Sequence, residues 1–119
     1  MNTILIVDDE YLIADILGFA LEDAGYLVEK AGDGEKALEA LAQKRVDLVI
    51  TDYMMPRKNG EELLHAIRAN ELFKDLPVIL MSGAQASQGR VSPDAFAAVF
   101  DKPFDIDRMI ATVRELLER

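Results

Sequence analysis

Five short apolar runs recur along this 119-residue chain: "TILIV" (3–7), "LVEK" (27–30), "DLVIT" (47–51), "PVILM" (77–81) and "AVF" (98–100). Most are continuously apolar rather than alternating, so their residues need cover on both faces. That is the mark of a parallel sheet enclosed by helices. The intervening stretches carry the matching helical spacing. Over 11–24, Leu12, Ile16 and Phe19 with Ile13, Leu17, Ala20 and Leu21 make a broad apolar face. Asp33 is placed to cap a helix over 34–43 that groups Ala37, Leu38 and Leu41. A third helix is predicted from Gly60 to Asn70, with Leu63, Leu64 and Ile67 inward. A last one over 105–118 opens on an Asp105 cap and carries Ile106, Met109, Ile110, Val113, Leu116 and Leu117. Between the last two strands, "GAQASQGRVSPDAFA" (83–97) holds Gly83, Gly89, Ser92 and Pro93, which predicts a fourth helix that is short or mobile.

In an open α/β sheet, ligands bind beyond the carboxyl ends of the strands, where the strand order reverses. Here the residues that follow the apolar runs are polar in four cases: Asp8 and Asp9 after the first, Asp52 after the third, Ser82 after the fourth and Lys102 after the fifth. One polar residue at a strand end is only a turn. Together they are harder to dismiss. If the first and third strands are neighbours, roughly 4.8 Å apart, their carboxylates crowd one point, and two such charges about 4 Å apart repel by roughly 4 kcal/mol at an effective dielectric of about 20. A cation relieves that repulsion. With hard oxygens and no nearby His or Cys, Mg²⁺ is the expected ion. Carboxylates, Mg²⁺, an ammonium and a hydroxyl around one space describe a site for phosphoryl chemistry. Asp52, alone on the central strand, is the candidate nucleophile; Asp8 and Asp9 are better placed for metal. Glu10 reads as a helix-start residue near the favourable dipole end, with no chemistry of its own.

Charge and composition narrow the alternatives. The chain carries 22 acidic against 13 basic residues, a net charge of −9 that opposes direct nucleic-acid binding. Half the residues are apolar, enough for the core of one domain over 1–119. There is no cysteine, which removes disulfides and thiolate metal sites. The first residues lack the pattern of a signal peptide and the apolar runs are too short to span a bilayer, so a cytoplasmic protein without membrane contact is expected.

Taken in order, "ILIVDDE", "DLVITDYMMPRKNGEEL", "VILMSG" and "DKPFD" resemble the receiver domain of two-component response regulators, of the CheY-like, stand-alone kind. The resemblance covers the whole chain. It implies an α/β, single-domain, three-layer flavodoxin-like sandwich, with a five-stranded parallel sheet in the order 2-1-3-4-5 and helices on both faces. It further implies that Asp52 accepts a phosphoryl group from a phosphohistidine on a sensor histidine kinase or histidine phosphotransfer protein. Mg²⁺ would be held by Asp9, Asp52 and the backbone carbonyl of Met54, with Asp8 acting through water. Lys102 would contact Asp52 or the phosphoryl group, and the Ser82 hydroxyl would move to a phosphoryl oxygen. The Lys102–Pro103 bond would be cis, and Pro56 and Gly60 would shape the loop after Asp52. Relatives dock near Ile13 and Leu17 on the first helix and on the loop after the fifth strand. The state expected is a monomer or a weak phosphorylation-dependent dimer.

Two departures from the family pattern bear on the switch. The aromatic residue usual three positions before the lysine is Val99 here, and Phe100 beside it faces the other side of the strand. The usual Gly-Ala-Asp turn is replaced by Ala95, Phe96 and Ala97. These point to a switch that works by ordering residues 83–97. Met54 and Ala84, each two residues beyond a site residue, offer no polar group to orient water, which predicts a persistent phosphorylated state. Other readings are a Mg²⁺-dependent phosphatase with an aspartyl nucleophile, which needs an acid where Met54 stands, and a receiver-like binding module that is no longer phosphorylated. No glycine-rich loop follows the first strand to bind a nucleotide. The single histidine, His65, is expected at an exposed or half-buried helix position rather than as a phosphotransfer group.

Overall fold

Each apolar run is a strand in the computed structural model, which describes residues 1–55, 59–83 and 95–118. The elements run β1 (Thr3–Val7), α1 (Tyr11–Asp23), β2 (Leu27–Ala31), α2 (Gly34–Gln43), β3 (Leu48–Asp52), α3 (Gly60–Arg68), β4 (Val78–Ser82), β5 (Ala98–Asp101) and α4 (Ile106–Leu117). The five strands form one parallel sheet in the order β2-β1-β3-β4-β5, as the resemblance implies. The expected fourth helix over 83–97 falls largely on 84–94, and Pro56 and Ala84 likewise lie outside the described residues.

Side chains alternate across the strands and so divide the interior into two cores. On one face Leu5, Val7, Val49, Val78 and Leu80 meet Ala37 and Leu41 of α2 and Leu63, Leu64 and Ile67 of α3. On the other, Ile4, Ile6, Leu48, Ile50, Ile79 and Met81 meet Ala14, Leu17 and Leu21 of α1 and Met109 and Val113 of α4. Val99 packs against the first core and Phe100 against the second, so the two do sit on opposite sides of β5. Phe96, in place of the usual turn, is buried in the first core.

Helix starts follow the expected chemistry. The Asp33 carboxylate accepts from the Lys36 N–H at 2.9 Å, and Asp105 accepts from the Asp107 N–H at 2.8 Å. At α3, Asn59 and Glu62 form a reciprocal capping box, with bonds of 2.8 and 3.0 Å. Helix α1 ends in a Schellman turn. Tyr26 N–H returns to Leu21 O and Gly25 N–H to Glu22 O, with Gly25 at φ 101°, where a side chain is strained.

The broad apolar face of the first helix does not stay together. The sheet takes Ala14, Leu17, Gly18 and Leu21, while Leu12, Ile16 and Phe19 face solvent. The reason is proximity: a Cβ at Gly18 would lie 3.1 Å from Lys30 Cε and 3.5 Å from Val28 Cγ1, so small residues let α1 lie close to the sheet. Because α1 is apolar on nearly every side, periodicity alone does not choose which stripe turns inward. No helix among the described residues is long and apolar enough to cross a membrane.

Candidate functional site

Parallel register sets Val7 of β1 beside Thr51 of β3, so the residues that come next, Asp8 and Asp52, stand side by side at the carboxyl edge. Both are buried, at 2% and 5% exposure. Asp8 turns the chain toward α1 by accepting the Glu10 N–H at 2.9 Å, and Asp52 Oδ1 accepts the N–H of Tyr53 at 2.9 Å. Lys102 arrives from beyond β5. Its N–H donates to Ser82 O at 2.7 Å, and its Nζ reaches 3.1 Å from Asp52 Oδ1 and 3.4 Å from Asp8 Oδ2. The Lys102–Pro103 bond is cis. Helix α3 begins against the same spot: a Cβ on Gly60 would fall 2.7 Å from the Asp52 carbonyl oxygen, so only glycine fits there without a shift.

Asp8, Asp52 and Lys102 are therefore in contact. Ser82 is buried at the end of β4, with its hydroxyl donating to Gly83 O at 3.3 Å. Asp9 is exposed and lies outside the carboxylate group, and the Met54 side chain is exposed. His65 is exposed on α3.

Glu10 differs from its reading in sequence. It is the N-cap residue of α1, as a helix-start residue should be, but its side chain makes no capping hydrogen bond. Its Oε1 lies 3.6 Å from Lys102 Nζ, and one oxygen each from Asp8, Glu10 and Asp52 falls within 4.8 Å of the others.

Among the described residues three carboxylates face one ammonium, and the titration behaviour of Asp52, Asp8 and Lys102 follows. Burial, then the charge of Asp8, pushes Asp52 up to about 6, against the opposing pull of Lys102. Burial likewise raises Asp8, opposed by the Glu10 N–H and Lys102. Burial disfavours the Lys102 ammonium, but Asp52 and Asp8 outweigh it and hold the group above its ordinary value. Crowded hard oxygens with surplus negative charge suit a small divalent cation, so this donor set fits Mg²⁺.

The family model described as the response regulator receiver domain matches residues 4–114. The chain belongs to this family: it is a receiver domain, a module of phosphorylation-dependent signalling. It is 36% identical over 121 residues to the "DNA-binding dual master transcriptional regulator RpaA" of Synechocystis, covering 100% of this chain and 50% of that protein. It is 37% identical over 118 residues to the response regulator MprA of Mycobacterium leprae, covering 98% and 51%. The chain thus spans about half the length of these curated relatives. Among solved structures it resembles the chemotaxis response regulator CheY4 of Vibrio cholerae, with TM-score 0.89 and 30% identity over 98% of this chain and 99% of that one. It also resembles the response regulator TrrA of Thermotoga maritima, determined in complex with Mg²⁺ and BeF, with TM-score 0.87 and 35% identity over 98% and 100%.

Proposed function

We propose that Asp52 is the phosphoacceptor and that its donor is a phosphohistidine on a sensor histidine kinase or histidine phosphotransfer protein. The observation that carries this is the buried Asp52 carboxylate held 3.1 Å from the Lys102 ammonium at the carboxyl edge of the sheet. An Asp52 oxygen attacks phosphorus, the phosphorus–nitrogen bond breaks, and the imidazole leaves with the electron pair and takes up a proton. Lys102, tethered through its backbone to Ser82, supplies a positive charge to the transferring group. The Ser82 hydroxyl supplies a hydrogen-bond donor once a phosphoryl oxygen is within reach.

Asp8, Asp9, Asp52 and the Met54 carbonyl are the proposed Mg²⁺ holders. When bound, the ion neutralises charge that develops on the phosphoryl oxygens. The T. maritima relative was crystallised with Mg²⁺ and BeF, which supports the reading. An exposed apolar stripe of Leu12, Ile16 and Phe19 adjoins a groove of about 450 Å³ lined by Ile13, Ile16, Pro103 and Phe104. We assign this surface to the phosphohistidine donor. With a net charge of −9, the domain's output runs through protein contacts rather than direct nucleic-acid contact, from a cytoplasmic monomer or weak phosphorylation-dependent dimer. The proposed unit is a single receiver domain over 1–119 that assists its own phosphorylation and is not itself an enzyme.

Incubation with acetyl phosphate and Mg²⁺, followed by mass measurement, tests this. Wild type gains one phosphoryl group and Asp52→Asn gains none; no gain in either removes the reading.

A further inference from the structure

Among the described residues Lys102 touches three acids, which differ in one respect. Asp8 and Asp52 are buried and committed to the floor of the site, whereas the Glu10 side chain is 62% exposed at its mouth. Glu10 also leaves its capping role unused: it starts α1, yet its carboxylate turns toward the lysine instead of the helix N–H groups. The lysine backbone is fixed by its bond to Ser82 O, so only its side chain is free to swing among the three partners.

We propose that Glu10 is a positioning residue for Lys102, the partner that keeps the ammonium at the mouth of the site when a divalent cation occupies the floor. This rests on the reading of Asp52 as a Mg²⁺-assisted phosphoacceptor. A cation held at this floor would satisfy the charge of its carboxylates and repel the ammonium beside them. Among the described residues, Glu10 is the remaining acid in contact with Lys102, and it is the exposed member of the three. Handing the ammonium from Asp52 to Glu10 frees the acceptor oxygen without losing the lysine to solvent. Nothing is consumed in the exchange, because one ion pair replaces another.

A zero-length carbodiimide cross-link, which joins only an amine and a carboxylate in contact, reads the partner of Lys102 directly. The full chain is cross-linked with and without Mg²⁺ and the products are mapped by peptide mass. Mg²⁺ is expected to raise the Glu10–Lys102 product and to lower the Asp52–Lys102 and Asp8–Lys102 products. The Glu10 product disappears in Glu10→Gln. Titration calorimetry with Mg²⁺ alone should show that Glu10→Gln loosens the ion by no more than about fivefold, the scale of one exposed charge pair. A Glu10 product that falls or stays flat with Mg²⁺ overturns the proposal. So does a loosening as large as that of Asp52→Asn, which makes Glu10 a metal ligand. If wild type takes up no Mg²⁺ saturably, the Mg²⁺-assisted reading of Asp52 fails first; saturable uptake with an unmoved cross-link fails Glu10 alone.

Discussion

Helices α1 and α3 cover opposite faces of the same sheet and are built on different terms. Helix α3 separates its faces cleanly, with Leu63, Leu64 and Ile67 buried and a reciprocal capping box at its start. Helix α1 has no side-chain cap, buries two of its smallest residues, Ala14 and Gly18, and presents Leu12, Ile16 and Phe19 to solvent. Folding alone explains α3. It does not explain α1, whose outer stripe adds nothing to the core, and whose N-cap residue, Glu10, turns its carboxylate toward Lys102. The contrast teaches that where apolar side chains and charged ends are left unspent on stability, contact with a partner or ligand is the remaining use for them.

The contrast can be broken most decisively in the core of α3. Leu64→Ala should cost about 2–5 kcal/mol, read as a drop in urea midpoint, because its side chain is fully enclosed. Next comes Gly60→Ala, expected to cost about 1–3 kcal/mol through forced displacement of the helix from the Asp52 carbonyl, with slower acetyl phosphate labelling as its second effect. Removing the cap with Asn59→Ala should cost about 1 kcal/mol, whereas Glu10→Ala at the equivalent end of α1 should cost less in the same denaturation series. Smallest of all, Leu12→Ser and Ile16→Ser should each stay within about 0.5 kcal/mol of wild type. Those two should retain acetyl phosphate labelling yet slow transfer from a phosphohistidine protein that labels wild type.

A pH series sharpens the difference at the site end of the sheet. The folded-state Asp52 carboxyl lies at about 6, above its ordinary 3.8, so the folded chain holds that proton more tightly than the unfolded one. Stability from this group is therefore present at low pH and lost as pH rises from about 4 through about 6. The midpoint of thermal unfolding of metal-free protein should rise as pH falls from 7.5 to 5.5. Asp52→Asn, which is neutral throughout, should flatten that slope, and so should Mg²⁺ in wild type. An equal slope in all three would dissociate the effect from the carboxylate crowding.

Much of this was legible in the sequence because it depends on short-range rules. Continuous apolar runs define a covered parallel sheet, and Asp33 and Asp105 announce the helices they cap. Asp8, Asp52 and Lys102 group together from the sequence alone, since a parallel sheet brings strand ends to one edge. Two things were not legible. Which face of α1 turns inward depends on how close the helix sits to Lys30 and Val28, a distance that periodicity does not contain. The role of Glu10 depends on which of two attractions wins, the helix N-terminus or the lysine. Both are favourable locally, and only the arrival of Lys102 from 92 positions downstream decides it.

The fit of Gly60 against the Asp52 carbonyl has a consequence for reading natural variation. Any side chain introduced at position 60 meets main chain rather than a flexible neighbour, so it cannot be absorbed by a rotamer change. A variant carrying one must either lift the start of α3 or shift the strand end that bears the aspartate. A substitution that would pass for a conservative change of one methyl group is, at this position, a change in where the acceptor itself stands.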